Sequence, residues 1–383
     1  EAGRGYLDRY HQQIDGKTDQ QFHDETDSWQ CTFNAWNEQI AAAQAAVPDI
    51  TWDVLNARYG ECPWPPPVTP FSQYHVTGAF NAMVRRLAPF STRGVLWYQG
   101  EEDEQRYASY RELLGCMIGE WRTLWSRRAG GDFSDSYDVG RIVADDAARG
   151  HGAEPIADTP AASVGNEAEL PFIIVQLPRW IDQKEYNSGI DRMFWPHIRE
   201  AQADAARIIP DVYLAVTFDT GEFNNIHPTD KRPVGERIAL QAEAHVYGLP
   251  VHADGPAFVS LASAGETADE LQVRLDNADG LHFGPWSGSD DVGHLPAVHS
   301  SESGETEPLW TVNRCDAAAS GFEIAGSDGI YHRADARIEA DTVVLHADAV
   351  SHPICARYGW FSWGPAPLFN AFGLPAAPFR IHK

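Results

Sequence analysis

Alternation of strands and helices from residue 75 to 247, then a series of short strands from residue 256 onward, predicts two parts. The first is an α/β domain with a parallel sheet covered by helices on both faces; the second is an all-β unit. Three apolar runs carry the first prediction: residues 94–98, 170–176 and 212–218 lack the period-two alternation of a half-solvated strand. Between them, apolar residues recur at helical spacing. The second prediction rests on short β-prone segments, such as residues 257–261, 271–275, 321–324 and 342–346, set between Gly, Asp and Ser turns. The expected boundaries are 1–249 for the α/β domain and 250–383 for the β-rich domain.

Residues 1–33 are polar, rich in Asp, Gln and His, and begin abruptly at Glu1, so they read as the middle of something. A helix is expected over 33–46, where Trp36, Ile40 and Ala43 share a face and Pro48 stops the run. Residues 62–68 contain four prolines and must cross the surface in an extended form. Helical spacing of Val76, Phe80, Met83, Val84 and Leu87 predicts a helix over 75–87. The strand 94–98 ends in the turn Gln99-Gly100-Glu101, and a long helix is expected from 106 to 127. Residues 130–169 are acidic, rich in Gly and Ala and without a sustained period, which marks an insertion. Further helices are expected over 193–208 and after Thr229, a residue able to cap one.

The chain has 383 residues, 43% of them hydrophobic, which suits a globular protein of two domains. No apolar run is long enough to span a membrane, and no signal peptide is present. A net charge of -26, spread along the chain, argues against a nucleic-acid partner, since a phosphate backbone needs a basic surface. Thirteen tryptophans and thirteen tyrosines provide flat faces for sugar stacking, although most are expected in the core. Five cysteines fall in no C-x-x-C pair, which speaks against a zinc site. Cys116 reads as a buried thiol, while Cys31 and Cys62 flank irregular segments and are able to bridge.

Two turns carry chemistry. After the strand 212–218, the polar turn 221–225 leads to His227-Pro228, at the carboxyl end of a parallel strand, where open α/β sheets bind ligands. A His-Pro turn is often only a turn, yet this histidine has the position of a general base for acyl transfer. At the other turn, the Gln99 side-chain amide and the Gly100 N–H suit an oxyanion. Glu101 follows, and Arg357 is a candidate to neutralise it. Trp97 and Arg357 complete the candidate set as substrate-binding residues.

These segments resemble a known family. Gly94-Val-Leu-Trp-Tyr-Gln-Gly-Glu101 is similar to the GV-[IL]-WYQGE block of sialate O-acetylesterases, carbohydrate acetylesterases with an SGNH-like fold. Asn225-Ile-His-Pro-Thr-Asp-Lys-Arg-Pro-Val-Gly235 is similar to their DIHP-x-x-K-x-x-VG block. The resemblance continues at Phe80-Asn-Ala-Met83, at Gly321-Phe-Glu-Ile-Ala-Gly326 and at Gly373-Leu-Pro-Ala-Ala-Pro-Phe-Arg380. It covers most of residues 75–383 in order.

The resemblance implies an SGNH-like parallel sheet and removal of O-acetyl groups from sialic acids through a serine acyl-enzyme. It implies no metal or organic cofactor. An acetyl xylan-type esterase is the neighbouring alternative, and a non-catalytic glycan-binding protein on the same fold is the alternative from another class. Glycan targets imply a secreted, periplasmic or lysosomal location.

Three departures stand out. The family's nucleophile lies in a GQSN motif on the first strand, and this chain has neither GQSN nor G-x-S-x-G. The first strand is therefore missing from this chain, and a separate N-terminal chain carrying the serine is expected. The acid expected two residues before the histidine is Asn225, which carries no charge; Asp219 or Glu222 is positioned in sequence to substitute. Glu102-Asp103 replaces the Ser-Asn that often follows QGE.

Overall fold

The computed structural model describes residues 3–48, 50–72, 75–88, 90–129, 169–265, 268–284, 298–300, 306–308 and 310–381. They fall into two compact units, residues 1–91 and residues 92–383. The acidic insertion expected over 130–169 lies, apart from residue 169, outside the described residues.

The first unit is helical. It holds helices α1 (Arg4–Ile14), α2 (Asp19–Ala46) and α3 (Trp52–Tyr59); α2 contains the helix expected over 33–46 and, with α1, occupies most of the polar stretch 1–33, for which no element was expected. Thr18 starts α2 with a reciprocal capping box: its side chain accepts from the Gln21 N–H, and the Gln21 side chain accepts from the Thr18 N–H. That local signal begins a helix whose first turns are too polar to show a stripe. A small core gathers Ile40, Ala43 and Leu55, with Trp36 packed against it. Over the predicted helix 75–87 the backbone forms a π-helical turn, Phe80–Val84, followed by one α-turn, Arg85–Leu87.

All five cysteines are free thiols. Cys31 sits inside α2 and does not bridge to Cys62, and Cys116 is exposed rather than buried. The helix stripe that buries Leu114 and Ile118 passes Cys116 by.

The second unit holds a parallel sheet of β1 (Val95–Trp97), β2 (Phe172–Val175) and β3 (Val212–Ala215), adjacent in that order. Leu96 pairs with Ile173, and Ile174 with Leu214. Helix α4 (Tyr107–Ala129) brings Tyr110, Leu114 and Ile118 onto one face; α6 (Phe194–Ile208), which follows the short α5 (Gln183–Ser188), adds Trp195, Ile198 and Ala201. Phe172 and Ile174 point into this core, each contributing roughly 1.5–3 kcal/mol by burial. Ile173 and Val175 point the other way and are also buried, and helix α7 (Arg232–Gln241) packs on β2 and β3. The sheet is thus covered on both faces, as the apolar strands predict.

The C-terminal half of this unit is antiparallel. One sheet joins Ala257–Ala264, Glu270–Asp276, Thr342–His346, Asp335–Glu339, Arg314–Cys315 and Trp310–Thr311 in that spatial order. A second joins Tyr331–Arg333, Phe322–Ala325, Cys355–Tyr358 and Phe379–Ile381. Their shared core includes Val273, Phe322, Val343 and Tyr358. Phe218, in the loop after β3, is fully buried in that same core and locks the two halves together.

Candidate active site

The turn after β1 is held by its own backbone. The Gln99 carbonyl accepts from Tyr110 Oη at 2.8 Å and Gln202 Nε2 at 3.0 Å, while Gln202 Oε1 accepts from the Leu177 N–H at 2.9 Å. Burial, chiefly, pushes the Tyr110 phenol up to about 12, so it stays a donor. A Cβ on Gly100 would stand 2.8 Å from Ile198 Cγ2, which is why the turn needs glycine. From Gly100 the chain enters a 3-10 helix, Glu101–Arg106, with four acids in its first turn.

The Gln99 side chain does not point at an open oxyanion position. Its Nε2 donates to Asp103 Oδ2 at 2.8 Å, and Asp103 also receives Arg106 Nε at 3.4 Å. Asp103 therefore sets the direction of the Gln99 amide, a role that its position after QGE gave no reason to expect. Trp97 is also turned inward. Strand alternation puts its ring on the face of Val95, edge-on to Trp121 at 6.0 Å, with Nε1 3.4 Å from Tyr110 Oη. It is a core side chain rather than the sugar platform expected of it.

The second turn is built around Glu222. Gly221 precedes it at φ 104°, and a Cβ there would sit 2.1 Å from the Arg179 carbonyl oxygen. The Glu222 carboxylate accepts from Asn225 Nδ2 and Thr229 Oγ1, both at 2.5 Å, and from the Thr229 N–H. Burial works to raise the Glu222 carboxyl, but these hydrogen bonds outweigh it and hold the group below the usual carboxylate range. Thr229 is consumed here, so it does not cap α7; that helix starts after Lys231, without a side-chain cap.

Asn225 faces the backbone of His227. Its Oδ1 accepts from the His227 N–H at 3.0 Å, so it does not fix a ring tautomer in the way expected for the position. The His227 ring is exposed, and no described residue hydrogen-bonds to it. Neither acid named for it is available. Glu222 holds the loop, and Asp219 is buried in a two-pronged pair with Arg237, at 2.5 and 2.6 Å.

The two turns meet through one pair of side chains. Lys231 Nζ lies 3.4 Å from Tyr98 Oη and 5.2 Å from the centre of the Tyr98 ring. Tyr98 immediately precedes Gln99, and Lys231 follows His227 by four residues. Glu101 lies beside Tyr98, close enough to raise its phenol further after burial has done so. Arg357 is not the Glu101 partner: its Nε donates to Glu323 Oε2 at 2.7 Å. Arg357 and Glu323 are directly opposite on paired antiparallel strands, which fixes that choice. Arg357 is spent there, with its guanidinium 4.1 Å from the Tyr331 ring, and Arg380 is likewise paired with Glu200 at 2.7 Å.

Sequence comparison finds relatives of this chain, although no family model matches it. The human sialate O-acetylesterase is 25% identical over 174 residues, covering 44% of this chain and 27% of that protein. The Rattus norvegicus sialate O-acetylesterase is 26% identical over 216 residues, covering 52% and 33%. Among solved structures, a carbohydrate acetylesterase from Xanthomonas citri matches with a TM-score of 0.54 and 27% identity, over 79% of this chain and 54% of that one. The chain is thus similar in sequence to sialate O-acetylesterases over about half of its length, and in fold to a carbohydrate acetylesterase. It spans between about a quarter and a third of the length of these curated relatives. It presents a glycine turn after β1 and an exposed imidazole after β3, at the carboxyl ends of the two outer strands of an SGNH-like sheet.

Proposed function

We propose that this protein is a carbohydrate O-acetylesterase that removes acetyl groups from sialic acids through a serine acyl-enzyme. The juxtaposition of the Gln99 and His227 turns, joined by Lys231 and Tyr98, is the observation that carries the reading. His227 accepts the proton of the attacking serine, passes it to the departing sugar oxygen, and then, neutral again, takes a proton from the water that hydrolyses the acetyl-enzyme and returns it to the serine. The Gly100 N–H and, once released from Asp103, the Gln99 amide stabilise the developing oxyanion. The nucleophilic serine is supplied from outside residues 1–383, by a GQSN segment of the same polypeptide or of a second chain.

The direct assay is acetate release from O-acetylated sialoglycans by the protein together with its serine-bearing segment. Release that disappears in His227→Ala supports the reading. No release, with glycan binding retained, would favour the other one, a non-catalytic glycan-binding protein. The His227 ring, without a hydrogen-bond partner among the described residues, and the neutral Asn225 are the features that favour it.

A further inference from the structure

A protein of net charge -26 that acts on an anionic sugar needs a local cation where the sugar sits. The arginines around the two turns do not supply it, because Arg179 is enclosed and donates to backbone carbonyls and the others are paired with acids. Arg106 pairs with Asp103, Arg192 with Glu185, Arg232 with Glu236 and Arg237 with Asp219. The two that the sequence suggested, Arg357 and Arg380, pair with Glu323 and Glu200.

Lys231 is different. Among the described residues no carboxylate lies within ion-pair distance of its ammonium, whose hydrogen-bond partner is the neutral phenol of Tyr98. The neighbouring Asp230 turns to the Arg232 N–H at 3.0 Å. An ammonium against a phenol keeps its full charge and two further N–H directions. The Tyr98 hydroxyl, accepting from Lys231, still has its own proton to donate. Half-burial and the nearby Glu101 keep that phenol protonated.

We infer that Lys231 and Tyr98 form a carboxylate-binding corner between the two turns, selecting an acetylated sugar acid over a neutral acetylated sugar. This rests on the reading of the site as a sugar esterase centre. One carboxylate oxygen accepts from the Lys231 ammonium and the other from the Tyr98 hydroxyl, a charge-assisted pair of bonds. The corner binds the ground state and anchors the ring while the acetyl group reaches His227. A neutral xylan or hexose acetate has no group for it.

The test compares two ligands on the intact protein, wild type and variants: the methyl glycoside of N-acetylneuraminic acid and the methyl ester of that glycoside. Dissociation constants come from calorimetry or ligand-observed NMR. The wild type is expected to prefer the acid by about fivefold, a partly exposed charge contact being modest. Lys231→Met should bring the ratio to about one, Lys231→Arg should restore most of it, and Tyr98→Phe should leave an intermediate value.

A merely structural role for Lys231 would weaken both ligands alike and leave the ratio standing, which overturns the inference. Equal binding of acid and ester by the wild type overturns it too, while the esterase reading survives. Binding of neither ligand by the wild type, with acetate release absent, removes both.

Discussion

At His227 the imidazole stands exposed while its backbone N–H is tied to Asn225, so chemistry and loop geometry are held by different atoms of one residue. Loss of a general base typically costs 10²–10⁴ in rate. His227→Ala is therefore expected to lower kcat/KM for acetate release by about 10³, with unchanged far-ultraviolet circular dichroism. Asn225 leads to a less obvious expectation. Its Nδ2 donates to Glu222 at 2.5 Å, so Asn225→Asp would set two carboxylates against each other. That variant should lose activity and loosen the loop, and a tenfold gain in kcat/KM would contradict the account. Glu222 adds a pH dependence. Its folded carboxyl titrates below its unfolded value, so its contribution is full above the ordinary carboxylate range, near about 4, and is lost as pH falls through the depressed value. Amide exchange of residues 222–231 should rise over that acidic window, and Glu222→Gln should remove the dependence.

Among the elements, the loop after β3 is pinned on both sides. Asp219 and Arg237 form a buried pair, and Arg179, almost fully enclosed, donates to the carbonyls of Asp219 and Gly364 at 2.7 and 2.9 Å. Burial pulls the Arg179 guanidinium down to about 9, partly offset by Asp219. Breaking such a pair by removing one partner costs about 3–5 kcal/mol. Asp219→Ala should destabilise by that amount in denaturant titrations, and a loss below about 1 kcal/mol would show that the pair does not hold the loop.

The strands and helices of this region are legible in sequence because burial on both sheet faces leaves unbroken apolar runs, as in Phe172-Ile-Ile-Val175. The partners of Arg357 and Asp219 are not, because they follow from strand register and helix docking between residues far apart in sequence. Of α2, the half over 33–46 is legible from its Trp36, Ile40 and Ala43 stripe, whereas the first half escaped, since the Thr18 and Gln21 cap is local but the turns it starts show little apolar period.

For the molecule as a whole, Phe218 is the link between the α/β sheet and the antiparallel half. Its ring lies so close to Gly359, at φ 63°, that a Cβ there would approach to 2.5 Å. Phe218→Ala should cost about 3–5 kcal/mol and lower the melting temperature of both halves together, because this ring anchors the loop after β3 in the core of the antiparallel half. Two separate transitions in calorimetry would argue against that anchoring. The same scale holds the central claim, that the turns at Gln99 and His227 form an esterase centre completed by a serine from outside residues 1–383. Labelling the full-length protein with a serine-reactive phosphonate, followed by peptide mass spectrometry, tests it most directly. The account predicts one adduct, on a serine beyond these residues and lost in His227→Ala; an adduct on a serine within residues 1–383, or none at all, would contradict it.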